Sequence, residues 1–277
     1  YNLLESVGVY YAFSKGVDDP MTVATDKDEN VYVYLNNKGV KKITADGKIS
    51  DFAPKGAESF FFDMKFGPNN VLYGTRNLRA VFQVEAGKAS ATYAVLKTGV
   101  SIVAIDFDKD LNMWAGGSGG LLYRIKNVTK DTLSRRIDYT ISSLKVFDGY
   151  LYAAGKKANE EAIYRYEIKA DATLGNEEKF FDIGAAYGLG KVNVGGLAFA
   201  TDGEMIIGTD QVDSFISVKN KTGSIFYPGI LSPSVKSMMW GTKKNLFYIR
   251  EYIDAGAPVH TLVRVDMQKL SAPYYGR

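Results

Sequence analysis

Val40-Lys41-Lys42-Ile43 returns along the chain as Val81-Phe82-Gln83-Val84, Leu122-Tyr123-Arg124-Ile125, Ile163-Tyr164-Arg165-Tyr166, Phe215-Ile216-Ser217-Val218 and Leu262-Val263-Arg264-Val265. In each copy two apolar positions three apart enclose a pair of strand-compatible residues, and the first residues are spaced 41, 41, 41, 52 and 47 apart. A period in the forties built only from strands is the signature of propeller blades. The reading is therefore an all-β chain, a six-bladed β-propeller of four-stranded antiparallel blades closed by a terminal strand.

Working outward, 277 residues could form two domains, but the repeat runs through nearly all of them and a single ring accounts for the whole. With 34 basic and 31 acidic residues the net charge is +3, and the basic residues are scattered through turns, which argues against nucleic acid as a partner. The 46% hydrophobic and 23% charged fractions are those of an ordinary globular chain, and no apolar run reaches the ~18 residues of a membrane span. The absence of cysteine excludes disulfides, thiolate metal sites and a cysteine nucleophile, and leaves the redox compartment open. The chain opens at Tyr1 like a mature chain from which a signal peptide has been removed, so an extracellular or periplasmic location is expected. The sequons at Asn127-Val128-Thr129 and Asn220-Lys221-Thr222 add little, because such triplets arise by chance.

Each repeat reads as four short strands. In the first, Thr22 to Thr25 is the inner strand, Asp26-Lys27-Asp28-Glu29-Asn30 the turn, Val31 to Tyr34 the second strand, Gly39 to Ile43 the third and Lys48 to Phe52 the outer one. Later turns, such as Gly67-Pro68-Asn69-Asn70 and Asp108-Lys109-Asp110-Leu111-Asn112, use residues that accept positive φ or bond their own backbone. Second strands such as Met113-Trp114-Ala115 and Leu246-Phe247-Tyr248 are apolar on both faces, as expected of strands sandwiched between blades. That packing absorbs most of the 19 Tyr and 15 Phe.

The order of small inner strand, Asp- or Gly-bearing turn, apolar second strand and basic third strand resembles NHL-type repeats over about residues 20–270. More distantly it resembles the gluconolactonase and streptogramin-lyase propellers. The gluconolactonase resemblance implies a divalent metal on the axis, held by oxygens from the inner strands. The comparable channel-lining candidates are Asp63, Ser101, Ser143, Asn193 and Ser237, only one of which is a carboxylate. The early glutamate that such enzymes carry in a Glu-Gly-Pro context has no counterpart, since Glu5 sits in Leu4-Glu5-Ser6. The streptogramin-lyase resemblance implies a histidine base, but the one histidine, His260, stands at the start of a third strand with no evident partners. Asp106-Phe107-Asp108-Lys109-Asp110-Leu111-Asn112 lacks the glycine and the bidentate acid of a calcium loop, and Gly188-Leu189-Gly190-Lys191 lacks the hydroxyl residue of a phosphate loop. No catalytic residue, metal site or cofactor is therefore expected.

Two segments depart from the repeat, Leu174 to Lys191 and Glu251 to Val259, and make Tyr187 and Tyr252 candidate recognition residues. At the ends the chain divides into an N-terminal strand segment (1–19), the propeller (20–270) and a C-terminal tail (271–277). The last blade lacks one strand. Val7 to Phe13 competes for that place with Ser271 to Tyr275, whose Pro273 makes it the poorer strand. In an extended strand Val7, Val9, Tyr11 and Phe13 share one face, and they join Tyr274 and Tyr275 as interaction candidates. The functional expectation is a non-enzymatic structural or interaction subunit that pairs with itself or another protein through its terminal segments. The alternatives are a module binding a glycan or small ligand, and a metal-dependent lactonase or hydrolase with an axial site.

Overall fold

The computed structural model describes residues 6–56, 60–76, 78–188, 191–231 and 233–276. Among them, strands form six four-stranded antiparallel sheets. The chain starts with β1 (Val7–Ala12), then builds blade I from β2 (Pro20–Thr25), β3 (Val31–Leu35), β4 (Gly39–Ile43) and β5 (Ile49–Ala53). Blade II is β6 (Asp63–Gly67), β7 (Val71–Thr75), β8 (Ala80–Val84) and β9 (Ala91–Val95); blade III is β10 (Ser101–Phe107), β11 (Met113–Ser118), β12 (Leu121–Ile125) and β13 (Thr132–Arg136). Blade IV is β14 (Thr140–Phe147), β15 (Tyr150–Lys157), β16 (Glu160–Glu167) and β17 (Glu178–Asp182), followed by the short helix α1 (Ile183–Tyr187). Blade V is β18 (Val194–Phe199), β19 (Met205–Thr209), β20 (Phe215–Lys219) and β21 (Thr222–Ile225). Blade VI joins β22 (Val235–Trp240), β23 (Asn245–Asp254) and β24 (Ala257–Asp266) to β1. The six inner strands touch their neighbours in a closed circle, β22 meeting β2. No helix among the described residues is long and apolar enough to cross a membrane.

The repeat positions explain the packing. Val40, Val81, Leu122, Ile163, Phe215 and Leu262 hold the same place in their third strands, each paired with the second strand, and all are buried. Three residues on, Ile43, Val84, Ile125, Tyr166, Val218 and Val265 are buried as well. Positions three apart in a strand point to opposite faces, so one copy of the repeat fills the gap to both adjacent blades. The Asp-rich turns are built for the backbone. Asp26 accepts from the amides of Asp28 and Asn30 and from the Tyr32 hydroxyl; Asp108 accepts from the amides of Asp110 and Asn112 and from Trp114 Nε1 at 3.0 Å. The calcium-like stretch is thus a blade turn pinned by the aromatic residue that follows it.

Ring closure falls to the N-terminal strand. β1 pairs antiparallel with β24, from Val7 opposite Val265 to Ala12 opposite Thr261, and the Phe13 amide continues the ladder to the His260 carbonyl at 3.2 Å. The expected sharing of one face by Val7, Val9, Tyr11 and Phe13, with both faces of the strand covered, is corrected by a bulge between Val9 and Tyr11. Tyr10 turns inward onto Phe247 at 5.3 Å, Tyr11 packs edge-on to Phe13, and Val9 is left 57% exposed. The expected loop from Glu251 to Val259 is corrected too. Ala255 and Gly256, both at positive φ, make a two-residue turn, and β23 and β24 pair on either side of it, so His260 lies within a strand and is buried.

The C-terminal tail takes the opposite end of the axis. The Ala272 amide donates to the Phe199 carbonyl at 2.8 Å, the Tyr274 ring lies 4.2 Å under Lys145 Nζ, and a Cβ on Gly276 would come 2.0 Å from the Phe66 carbonyl oxygen. The tail therefore crosses the ends of the inner strands of blades V, IV and II in turn. Deleting residues 1–13 removes a quarter of blade VI and the burial of Tyr10, Tyr11 and Phe13, so the stability measured by urea unfolding is expected to fall by about 5 kcal/mol. Val9→Lys, on the outward side of the bulge, is expected to change it by less than about 0.5 kcal/mol.

Candidate functional site

An inner strand is the edge of its own sheet, and its axial amides need partners from elsewhere. Side chains of the preceding blade supply several. Ser237 Oγ accepts from the Val23 amide at 3.2 Å, Asp63 from the Ile105 amide at 3.0 Å and Asp106 from the Val146 amide at 2.6 Å. Each carboxylate also has a lysine beside it: Lys65 Nζ is 2.9 Å from Asp63 and Lys145 Nζ is 3.8 Å from Asp106. Burial raises the Asp63 carboxyl above the usual range, against the pull of Lys65.

This set does not fit an axial divalent cation. Asp63 is committed to Lys65 and the Ile105 amide, Asp106 accepts from the Val146 amide through Oδ2 alone, and two lysines share the space of these two carboxylates. Among the described residues no group of three or more His, Asp and Glu side chains converges to hold a metal.

The end of the axis away from the tail lies where the inner strands begin. Five of the six inner strands bulge there, placing Met21, Val103, Ser142, Gly195 and Lys236 at one level around the axis. Two buried titratable side chains stand behind these bulges. Glu161 and His260 hold equivalent positions, each two residues before the first residue of its repeat, in blades IV and VI. His260 Nε2 meets Glu251 Oε2 at 2.6 Å, and Lys236 Nζ bridges Glu251 at 3.2 Å and Asp19 at 2.8 Å. The His260 hydrogen bond first, and then Lys236, hold Glu251 down at about 2 against partial burial. This network is internally satisfied.

Glu161 is different. It is 1% exposed, its Oε1 makes only a long 3.5 Å contact with the Ser142 hydroxyl, and its Oε2 is buried without a hydrogen-bond partner. Burial pushes the carboxyl up to about 7, with Lys156, directly across the strand pair, and Ser142 offsetting part of the effect. Lys156 Nζ lies 3.4 Å from Asn193 Oδ1, and Asn193 is bound in turn to Asp210 at 2.6 Å. A free carboxyl that titrates near neutrality beside a cation has the makings of a general acid or base.

The sequence candidates are thus dispersed. Asp63 and Ser237 are interblade stitches, Asn193 belongs to the Glu161 neighbourhood, and Ser143 pairs with Ala154 next to the bulge. Ser101 begins β10 opposite Ser118, its carbonyl oxygen 1.9 Å from where a Cβ on Gly117 would stand, so only glycine fits at position 117. Tyr187, on α1, bonds Thr209 Oγ1 at 3.2 Å and the Asp213 carbonyl at 2.7 Å, and Tyr252 lies on β23 under Arg250. Tyr274 is buried on the axis and Tyr275 packs into blades III and IV. Glu5, Leu189 and Gly190 lie outside the described residues. Glu161 is not among the sequence candidates; its signal is a charged residue at the −2 position of a repeat whose pairing places it on a buried face.

No family model matches the chain, and no curated protein matches it in sequence. Solved structures match its fold. A gluconolactonase from Xanthomonas campestris has 12% identity over 95% of this chain and 91% of that one, with a TM-score of 0.70. A luciferin-regenerating enzyme has 12% identity over 92% and 94%, TM-score 0.70, and a streptogramin B lyase 11% over 96% and 99%, TM-score 0.66. At such identity the likeness establishes the six-bladed propeller and no more. The expectation of a non-enzymatic subunit assembling through its terminal segments is corrected on two counts: the terminal segments pair within this chain, and the solved propellers that share its fold are enzymes.

Between pH 4.5 and about 7 the folded chain keeps a proton on Glu161 that the unfolded chain has lost, so this group's contribution to stability is full below 4.5 and is lost as pH rises through 7. Glu161→Gln is expected to remove that dependence and make the protein more stable than the parent at pH 8, by up to about 3 kcal/mol. Urea unfolding of both proteins across pH 5 to 8 measures it.

Proposed function

We propose that the chain is a hydrolase that opens a small polar ester or lactone at the mouth of the channel, its end away from the tail, with Glu161 as the general base. The observation that carries this reading is the unpartnered Oε2 of Glu161, buried behind the mouth with a carboxyl that titrates near 7. The likeness to a gluconolactonase supports the substrate class. In the reaction, ionised Glu161 takes a proton from the water that attacks the carbonyl carbon. The acyl C–O bond then breaks and the proton passes to the leaving alkoxide, giving a hydroxy acid from a lactone or an acid and an alcohol from an open-chain ester. Lys156, across the strand pair from Glu161, stabilises the oxyanion of the tetrahedral intermediate, and the Ser142 hydroxyl orients the substrate. Because the axial residues do not fit a divalent cation, no step passes through one.

A second reading, binding without turnover, is favoured by Phe62. Its ring is exposed just before β6 and packs edge-on to Phe60 at 4.9 Å, the kind of surface on which a sugar ring stacks.

The test is hydrolysis of glucono-δ-lactone and γ-butyrolactone followed by proton release. Turnover is expected to survive EDTA and to fall as pH drops below about 7, where Glu161 becomes protonated. Glu161→Gln is expected to lower kcat by about 10²- to 10⁴-fold. Turnover unaffected by that substitution would overturn the assignment, and lactone binding with no turnover would favour the binding reading.

A further inference from the structure

Far from the axis, on the outer half of blade III, four side chains form a checkerboard on one face of the sheet. Leu122 is paired with Arg135 and Arg124 with Leu133, so the two arginines stand diagonal to each other across β12 and β13. The Trp114 ring extends the same face, opposite Arg124 on β11. The segment after β16 folds over this face and is held by the arginines. Arg124 Nη1 donates to the Asp171 and Ala172 carbonyls at 3.3 and 3.2 Å, and Arg135 Nη1 to those of Leu174 and Gly175 at 3.1 and 2.5 Å. Between segment and sheet lies a cavity of about 230 Å³, walled by Trp114, Leu122, Leu133 and Leu174 and by both guanidinium groups.

The charge balance of this cavity is unusual for the molecule. Arg165 occupies in blade IV the repeat position that Arg124 occupies in blade III, and Arg165 has Glu178 directly opposite it, 2.6 Å from its Nε. In blade III the residue opposite is Leu133. Among the described residues neither Arg124 nor Arg135 meets a carboxylate at ion-pair distance, and Arg124 Nε is buried with no hydrogen-bond partner. Like charges on neighbouring positions of one sheet face destabilise it, and a buried guanidinium N–H without an acceptor carries a desolvation cost. Both are relieved by one anion seated where Glu178 sits in the next blade.

We propose that this cavity binds a small monocarboxylate with an apolar body. Its carboxylate takes the place that a glutamate would hold opposite Arg124, accepting from Nε and sharing the charge of Arg135. Its hydrocarbon part lies among Trp114, Leu122, Leu133 and Leu174. The cavity lies below the range of drug-sized pockets, so a short fatty acid or a single-ring aromatic acid suits it. A carboxylate is preferred to phosphate because the walls are leucine and tryptophan and because a guanidinium pairs with a planar carboxylate in matching geometry. The site stands apart from the mouth of the channel and is independent of the reaction proposed there.

Calorimetric titration of the full chain with benzoate and hexanoate, and with benzamide as the neutral counterpart of benzoate, tests this. Both acids are expected to bind and benzamide to bind at least tenfold more weakly. Arg124→Gln is expected to weaken benzoate binding by tenfold or more. Leu133→Glu copies the blade IV pair into blade III, and is expected to abolish benzoate binding while raising the melting temperature, which separates loss of the site from loss of the fold. Absence of binding by either acid at millimolar concentration, equal binding of benzamide, or unchanged benzoate affinity in Leu133→Glu would each overturn the proposal.

Discussion

The structure depends on the pairing of β1 with β24. Five blades take their four strands from consecutive sequence, but the sixth has only three from the C-terminal region and would present β24 as a bare apolar edge. Pairing this edge with residues more than 240 positions away fixes the first blade to the last, and it also sets the geometry of the mouth. The ladder ends on the His260 carbonyl, His260 holds Glu251, and Glu251 with Lys236 and Asp19 ties blade VI to the lead-in to blade I. A break in the closure would therefore be felt at the rim of the channel as well as in stability.

A ring of six sheets also leaves six edges facing the axis. Their amides are out of reach of the neighbouring sheet, so the chain meets them with short polar side chains and with carboxylates whose charge is balanced by lysines. This is the physical reason that the axis of this propeller is occupied by ion pairs and plugged from one end by the C-terminal tail. The same solution uses up the carboxylates an axial cation would need. At the bulged rim Glu161 stands as a buried carboxyl with one oxygen that accepts no hydrogen bond, and on the outer half of blade III the segment after β16 covers two arginines.

Repetition makes departures from it informative. Glu161 and His260 share a position, yet one has a strong partner and the other lacks one. Arg165 and Arg124 share a position, yet only the first faces a glutamate.

The sequence by itself determined the number of blades, their four-stranded plan and the position of each third strand, because apolar residues three apart must fill two interblade gaps whatever the rest of the chain does. It also determined that Val7 to Phe13 had to be covered, since so apolar a strand cannot stay in water. Tertiary structure decided what depended on one residue of register or on contacts between blades. The bulge in β1 turned Tyr10 inward and left Val9 exposed, although alternation alone puts Val9 on the same face as Tyr11 and Phe13. The extended hairpin of β23 and β24 moved His260 from an expected edge into a satisfied pair. The burial that pushes the Glu161 carboxyl up arises only when strands of blade IV close against the bulge at Ser142, because a carboxyl's environment is set by neighbours distant in sequence.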